Sequence, residues 1–352
     1  MKHLCSAFAF SAFVGALALS TVASAQDTSW TADVINLDAT PAAKETYRPL
    51  DKAQKAWRVC ILFPHMKDSI WLAVDYGVVS EAKRLGIEAD IYQAGGYENL
   101  TKQLSQFDDC MAGGYDAIIL GAISEAGLSR KLSEAASEGI PVVAVLNPVS
   151  EAKIAAKIFA DQTTMGKITG KYLTEETTDI KAKVVAFPGP AGSGWAEQFM
   201  NGFKEGIGGA SNVELLEEKF GDTGVAVQLG LLQNALQAHP DMNVIWGGAT
   251  TAEAAIGAVA EANRPNVTIM SSYENQATLD LLKSHKIVGF GTQFPVLQGR
   301  IAVDLAVRAL QKSLKTTFVM AEPTVVSEAN LSTIDTTQVL APADFTAVYS
   351  VK

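Results

Sequence analysis

Carboxylate and aromatic side chains that could hold a small ligand follow two neighbouring apolar segments of the chain. Asp68 stands three residues before Trp71 after the first segment, and Tyr97 follows the second. On the first turn of a helix, a spacing of three residues places a carboxylate and an indole on the same side. Aromatic faces attract methylated or cationic groups, and the carboxylate would accept a hydrogen bond or supply a counter-charge. Trp71 could instead pack in the core beneath its helix, but its neighbours favour a pocket role.

Four further side chains stand at comparable positions. Trp195 and Tyr273 follow later apolar segments, and for each of them a pocket role and a core role remain equally open. Gln162 and Gln293 stand where the chain is expected to cross between two halves of the molecule. Two other indoles, Trp57 and Trp246, fit strand packing better. The candidate ligand-binding residues are therefore Asp68, Trp71, Tyr97, Gln162, Trp195, Tyr273 and Gln293.

Catalytic and metal-binding motifs are missing where the predicted fold would place them. The sequence contains no Gly-x-Ser-x-Gly turn, no Gly-x-Gly-x-x-Gly turn after a strand and no Walker loop. The histidines are scattered at His3, His65, His239 and His285, without the spacing of a zinc site. We therefore expect no enzyme activity, no cofactor and no bound metal.

The first residues have the features of a secretory signal peptide. Lys2 precedes an apolar run over residues 8–19, and Ala23-Ser24-Ala25 forms a small-x-small cleavage site. The apolar run is shorter than the roughly 20 residues that span a bilayer. We predict that residues 1–25 are removed on export to the periplasm; an uncleaved anchor helix is the alternative.

Cleavage would remove Cys5 and leave Cys60 and Cys110. In an oxidising compartment two remaining cysteines are expected to form a disulfide. Two buried thiols on neighbouring elements are the other possibility.

Charge and size limit the class of protein further. The 352 residues include 38 acidic and 28 basic side chains, a balance that argues against nucleic acid or an anionic membrane as the main partner. A chain of this length with 48% hydrophobic residues exceeds what one core usually organises, so two lobes are expected.

Short apolar segments alternate with helix-length periodic segments along most of the chain. The predicted strands cover residues 58–63, 87–93, 117–120, 142–145, 184–187, 213–220, 244–246, 267–271 and 287–291. Continuous apolar strands joined by crossover helices predict an α/β fold with two doubly wound parallel sheets, which bind ligands at the carboxyl ends of their strands.

The expected domain organisation follows from this alternation. After the signal peptide, residues 26–56 are polar and patternless and are predicted to form a leader. The N-terminal lobe would comprise residues 57–161 and 292–318, and the C-terminal lobe residues 162–291 and 319–352. The chain would then cross the hinge three times.

Several sequence blocks resemble the TorT family of periplasmic sensor proteins. They include Lys67-Asp68-Ser69-Ile70-Trp71, Ala94-Gly95-Gly96-Tyr97, Pro188-Gly189-Pro190, Ala252-Glu253-Ala254-Ala255 and Ser272-Tyr273. The resemblance covers nearly the whole mature chain. It implies the type I periplasmic binding-protein fold, related to ribose-binding proteins. It also implies the sensing of trimethylamine N-oxide and signalling to a TorS-like membrane histidine kinase.

The ligand-contacting pattern of that family is matched at Asp68, Trp71, Tyr97 and Tyr273, but two positions depart from it. Ile70 replaces a tyrosine, and Gln162 stands where the family has a tryptophan. Two fewer aromatic walls weaken a methylammonium cage, and a glutamine is typical of sugar-binding relatives. We expect trimethylamine N-oxide to bind weakly and a solute with more hydrogen-bonding groups to bind better. The alternative function is the substrate-binding protein of a sugar-type ABC importer, with a permease as partner.

Overall fold

The secondary structure is given by a computed structural model that describes residues 30–352; the predicted signal peptide lies outside the described residues. The strands are β1 (Ala32–Asn36), β2 (Ala43–Tyr47), β3 (Arg58–Phe63), β4 (Glu88–Gln93), β5 (Ala117–Leu120), β6 (Val142–Val145), β7 (Ala156–Ile158), β8 (Ala182–Phe187), β9 (Val213–Glu218), β10 (Val244–Gly247), β11 (Thr268–Ser271), β12 (Gly289–Thr292), β13 (Phe318–Met320), β14 (Thr324–Val326) and β15 (Ser350–Val351). The helices are α1 (Ser69–Leu85), α2 (Leu100–Ala112), α3 (Glu125–Glu138), α4 (Gln162–Glu176), α5 (Trp195–Ile207), α6 (Val225–Ala238), α7 (Ala249–Glu261), α8 (Gln276–Lys283) and α9 (Pro295–Leu310).

The strands form two sheets, each with the same parallel centre. The first sheet has the order β15-β4-β3-β5-β6-β7-β13-β1-β2, and the second has the order β14-β12-β11-β10-β8-β9. The centres β4-β3-β5-β6-β7 and β9-β8-β10-β11-β12 are parallel throughout. In both, the second strand lies outside the first and the third to fifth follow on the other side, which is a doubly wound arrangement. The predicted fold class is confirmed.

The burial of the central strands explains why the sequence predicted them as apolar segments. Every residue of β5 and β6 is buried and apolar, as expected for parallel strands that are covered by helices on both faces. The helix α1 begins where the Asp68 side chain accepts a hydrogen bond from the Ile70 N–H, and it ends at Gly86 in the left-handed conformation. This N-cap fixes Asp68 at the carboxyl end of β3.

Residues 30–56, the described part of the predicted leader, differ from that expectation. Strands β1 and β2 form an antiparallel hairpin that joins the first sheet through β13. The segment is held by a buried acid: Asp304 on α9 accepts a hydrogen bond from the Tyr47 hydroxyl at 2.5 Å and from the Leu50 N–H at 2.7 Å. Four of the five residues of β2 are exposed, so no apolar pattern marks the strand.

The chain passes between the two sheets four times. It leaves the first sheet after β7, returns after β12 and leaves again after β13. After β14 it comes back, because β15 pairs antiparallel with β4. Residues 350–351 thus extend the first sheet, where the sequence placed them in the second lobe; a two-residue strand carries no periodicity to detect. We propose lobe boundaries at the first two passages, near residues 161 and 292.

A disulfide and the helix lengths complete the description. Cys60 on β3 and Cys110 on α2 are joined by a disulfide, with Cα atoms 5.9 Å apart. Within residues 30–352, none of the helices combines the length and the apolar character that crossing a membrane requires.

Candidate functional site

A cavity lies between the carboxyl ends of the two sheets. The lining residues are Asp68, Ile70, Trp71, Tyr97, Leu146, Asn147, Gln162, Trp195, Phe199, Thr223, Tyr273 and Gln293. The structure therefore brings all seven candidate residues from the sequence together around one cavity.

The first lobe contributes Trp71 at the point where the strand order reverses between β3 and β5. The Trp71 ring packs against Phe63, with ring centroids 5.1 Å apart, and only 1% of the residue is exposed. The ring also lies over Gly121, where a Cβ atom would come within 2.5 Å of the indole. Trp71 is thus both a core side chain and a wall of the cavity, so the two roles considered for it are combined.

The second lobe presents Trp195 in a parallel way, at the start of α5 after β8. Its indole lies over Gly189, which has φ +129° and where a Cβ atom would come within 2.4 Å of the ring. Trp195 makes edge contacts with Tyr97 of the first lobe at 5.7 Å and with Tyr273 of its own lobe at 6.1 Å between ring centroids. Aromatic side chains from both lobes therefore meet at the cavity.

Amide side chains supply most of the remaining polar surface. Asn147 Nδ2 donates to the Tyr97 hydroxyl at 2.9 Å, and Gln162 Nε2 donates to the Leu146 carbonyl at 3.2 Å. Gln293 is 4% exposed, and its Oε1 has no hydrogen-bond partner among the residues that the structure describes. A buried acceptor without a partner is costly, so a ligand donor at Gln293 would be stabilising.

Asp68 is a buried carboxylate with three donors. It accepts from the Ile70 N–H at 3.2 Å, from the Tyr273 hydroxyl at 2.8 Å and from Asn275 Nδ2 at 3.2 Å. Burial raises its pKa to about 6, and these three hydrogen bonds hold the pKa below the value that burial alone would give. Two of the three donors belong to the opposite lobe.

A second buried acid, Glu274, accepts hydrogen bonds from the segment that follows β12, where the chain passes between the lobes. Glu274 Oε1 accepts from the Thr292 hydroxyl at 2.6 Å, from the Gln293 N–H at 2.9 Å and from the Phe294 N–H at 3.1 Å. Burial raises the pKa of Glu274 to about 7. Phe294, at φ 59°, begins α9 without a side-chain cap of its own, so Glu274 caps this helix from a distance.

Several lining residues escaped the sequence-based selection. Phe199 lies one helical turn after Trp195 on α5, so helical spacing was a signal that could have identified it. Ile70 was noted only as a departure from a family pattern. Leu146 and Asn147 follow β6 directly, so their position at a strand end could have identified them. Thr223 carries no such signal, because its position depends on how the lobes meet. Within residues 30–352, no group of three or more His, Cys, Asp or Glu side chains is arranged to hold a metal.

The family model described as "Periplasmic binding protein domain" matches residues 59–314, which include both parallel sheets. The chain belongs to the periplasmic binding protein family. It is 31% identical to the periplasmic protein TorT of Escherichia coli strain K12 over 298 residues, covering 85% of this chain and 86% of that protein. It is thus a TorT-like type I periplasmic binding protein, as the sequence blocks indicated.

Two solved structures are similar over most of the chain. An ABC transporter solute-binding protein from Bradyrhizobium sp. BTAi1, solved with bound Bis-Tris, is 40% identical with a TM-score of 0.75, covering 90% of this chain and 97% of that one. The complex of the TorS sensor domain with TorT in the absence of ligand matches at 27% identity and a TM-score of 0.75, covering 83% of this chain and all of that one. Members of the family bind solutes, and their partners include a receptor in one case and a transporter in the other.

Proposed function

We propose that this protein is a periplasmic sensor that encloses a small amphipathic solute between its lobes and signals to a TorS-like membrane histidine kinase. The supporting observation is the cavity between the lobes, to which each lobe contributes an indole, Trp71 from one and Trp195 from the other. A ligand that contacts both lobes stabilises the closed arrangement by its differential affinity for it. No chemical transformation of the ligand is part of the proposal.

The lining indicates the class of ligand. Trp71, Tyr97, Trp195, Phe199 and Tyr273 are aromatic, and Asp68 is the acidic member of the lining. Aromatic faces and a carboxylate suit a methylated or cationic head group. Amide groups on the same lining suit a ligand that also carries hydroxyl groups. Trimethylamine N-oxide has the first feature, and Bis-Tris, a hydroxylated tertiary amine found in the Bradyrhizobium relative, has both.

The two departures from the TorT pattern lead to a prediction about trimethylamine N-oxide. Ile70 and Gln162 both line the cavity, so the positions that lack the family's aromatic rings would face the ligand. Each aromatic face is worth about 0.5–2 kcal/mol to a methylated head, and a tenfold change in affinity is about 1.4 kcal/mol. We expect hydroxylated amines or polyols to bind more tightly than trimethylamine N-oxide.

A thermal-shift panel of methylamines, N-oxides, hydroxylated amines, polyols and pentoses tests this ligand class. Gln162→Ala is expected to weaken binding of hydroxylated ligands while leaving trimethylamine N-oxide unchanged, since the amide pairs with hydroxyl groups. If trimethylamine N-oxide alone raised the melting temperature at micromolar concentration, the inference from Ile70 and Gln162 would be wrong. If no member of the panel bound, the proposed solute class would fail.

Export with signal-peptide cleavage is part of the same proposal. The support is the composition of residues 1–25 and the similarity to a relative named as periplasmic. The mature protein is expected to begin at Gln26. N-terminal sequencing of protein from the periplasmic fraction measures this directly, and a mature chain that retained Met1 in the membrane fraction would support the anchor-helix alternative.

The kinase partner is supported by the similarity to TorT and to the TorS–TorT complex. The test is co-purification with the periplasmic sensor domain of a membrane histidine kinase, followed by kinase autophosphorylation with and without the ligand from the panel. A ligand-dependent change in autophosphorylation is expected. A matched control is the same assay with Trp195→Leu protein, which should remain folded but lose the ligand response.

A second candidate function is delivery of the solute to an ABC permease. The similarity to the Bradyrhizobium solute-binding protein, at 40% identity over 90% of this chain, favours it. Uptake of labelled ligand distinguishes the two functions, because loss of an importer's binding protein abolishes high-affinity uptake. Loss of a sensor would instead leave uptake intact and abolish the transcriptional response.

A further inference from the structure

One short segment of the first lobe makes polar contacts with the second lobe across the cleft. These contacts lie away from the hinge, which is formed where the chain passes between the two sheets. We call residues 65–69, which run from the loop after β3 to the first residue of α1, the clasp. Within residues 30–352, five hydrogen bonds or ion pairs join the clasp to the second lobe. They are His65 with Thr223, Lys67 with Asp222, Asp68 with Tyr273, Asp68 with Asn275, and Ser69 with the Gln276 N–H.

The clasp has an inner and an outer part. Asp68 and Thr223 line the cavity, whereas Lys67 and Asp222 do not. The outer pair is partly exposed, with 33% of the Lys67 side chain and 18% of the Asp222 side chain accessible. The Lys67 ammonium also lies 4.0 Å from Glu98 of its own lobe, so it is held by a carboxylate on each side of the cleft. The pair therefore connects the lobes at the rim without contacting the ligand.

We infer that the Lys67–Asp222 ion pair is a positioning element that sets the fraction of molecules in the closed arrangement. The apparent affinity of a ligand that binds the closed form falls in proportion to the fraction of protein that is closed. A partly exposed ion pair of this kind changes an equilibrium by about two- to fivefold. The effect on ligand affinity rests on the proposed function, whereas the effect on closure does not.

Two physical consequences separate this role from ligand contact. Because neither side chain touches the cavity, loss of the pair weakens every ligand by the same factor, whatever its chemistry. Because the pair is partly exposed, salt screens it, and the wild-type advantage shrinks as ionic strength rises towards 1 M, where the Debye length is about 3 Å.

The test is a double-substitution cycle with Lys67→Ala and Asp222→Asn, singly and together. Closure is measured without ligand as energy transfer between dyes on the exposed positions Ser133 and Asn234, one on each lobe, after Ser133→Cys and Asn234→Cys. Affinity is then measured by calorimetry for the two best ligands of the panel. The matched control is Lys183→Ala, which removes an ion pair with Asp241 inside the second lobe.

We expect each single variant to reduce the ratio of closed to open molecules about two- to fivefold, with no further loss in the double variant. Both ligands should weaken by one common factor, equal to the loss in the fraction of closed molecules, and Lys183→Ala should leave closure unchanged. Additive effects of the two substitutions, or closure equal to wild type in all three variants, would overturn the inference. Reduced closure together with no ligand binding by wild type would instead refute the proposed function and leave the clasp inference standing.

Discussion

The Tyr273 hydroxyl donates a hydrogen bond of 2.8 Å to Oδ2 of Asp68 across the cleft between the two lobes. Asp68 caps α1 in the first lobe, and Tyr273 follows β11 in the second lobe. Both side chains are buried and both line the cavity. One hydrogen bond thus links the N-cap of α1, the cavity wall and the approach of the lobes.

Tyr273→Phe should weaken ligand binding more at pH 8 than at pH 5. Burial raises the pKa of Asp68 to about 6, and the bond from Tyr273 holds that pKa down. Without the Tyr273 hydroxyl, the pKa of Asp68 rises further. At pH 5 the Asp68 carboxyl is then protonated, whereas at pH 8 it is ionised and lacks this hydrogen-bond donor. We expect affinity to fall about tenfold at pH 8 and much less at pH 5, measured by calorimetry.

Tyr115→Phe is the matched control for that measurement. The Tyr115 hydroxyl donates to Asp90 at 2.8 Å, but both residues lie in the first lobe and away from the cavity. Its affinity should equal that of wild type at both pH values. An equal loss for Tyr273→Phe at pH 5 and pH 8 would contradict the role assigned to the ionised Asp68.

Trp71→Ala is expected to lose both stability and affinity. The ring packs against Phe63 and also forms a wall of the cavity, so truncation should cost about 3–5 kcal/mol of unfolding free energy. Trp246→Ala should cost a similar amount, because Trp246 is fully buried against Phe203 with ring centroids 4.2 Å apart. Only Trp71→Ala should reduce ligand affinity, by about two- to thirtyfold, in titrations at a temperature where both variants are folded. If Trp71→Ala bound the ligand as tightly as wild type, Trp71 would have only a core-packing role.

The Cys60–Cys110 disulfide should be present in protein from the periplasm and should stabilise it. It closes a loop with a sequence separation of 50, which corresponds to about 4 kcal/mol on the chain-entropy model. Alkylation followed by mass spectrometry should find neither thiol modified unless a reductant is added. Urea unfolding of a Cys60→Ala, Cys110→Ala double variant should show the loss of stability. Two alkylated thiols in the unreduced protein would refute the disulfide.

Asp75→Asn should stabilise the protein at pH 8. Asp75 is buried on α1 and accepts from the Val348 N–H at 2.9 Å, and burial raises its pKa to about 7. The folded state therefore retains a proton that the unfolded state releases between about pH 4 and 7, so the stability contributed by this group falls as pH rises through that window. The asparagine has no charge to bury.

Urea unfolding at pH 5 and pH 8 measures this difference. The gain should be on the order of 3 kcal/mol larger at pH 8 than at pH 5, because about two units of this window lie between pH 5 and pH 7. Asp109→Asn, at an exposed position on α2, is the control. A variant that was less stable than wild type at pH 8 would show that the Asp75 carboxylate is stabilising in its ionised form.

Nine of the ten strands in the parallel centres were predicted, because they are short segments between helical periodicities; the three-residue strand β7 was missed. The added edge strands were not predicted. The β2 segment has a polar sequence and is mostly exposed, and its place depends on Tyr47 reaching Asp304, about 250 residues away in the chain. Pairings of this kind leave no local pattern, because the stabilising partner is distant in sequence.

The cavity residues divide in the same way. Asp68 and Tyr97 lie in the loops that follow β3 and β4, and Trp71 lies in the first turn of the next helix. A parallel sheet places its ligand-binding loops there, so position alone pointed to these residues. Thr223 could be identified only from the structure, because it pairs with His65 of the opposite lobe at 2.9 Å. The sequence therefore predicted the strand ends at which the cavity lies, but not the contacts between the two lobes.

Calorimetric titration of the best ligand from the panel into wild type, Tyr97→Leu and Trp195→Leu tests the central claim most directly. Tyr97 belongs to the first lobe and Trp195 to the second, and their rings meet at 5.7 Å beside the cavity. We predict one ligand per wild-type chain and a loss of at least tenfold in affinity for each variant, with circular dichroism confirming that both are folded. Binding that survived either substitution unchanged would contradict a site enclosed by both lobes.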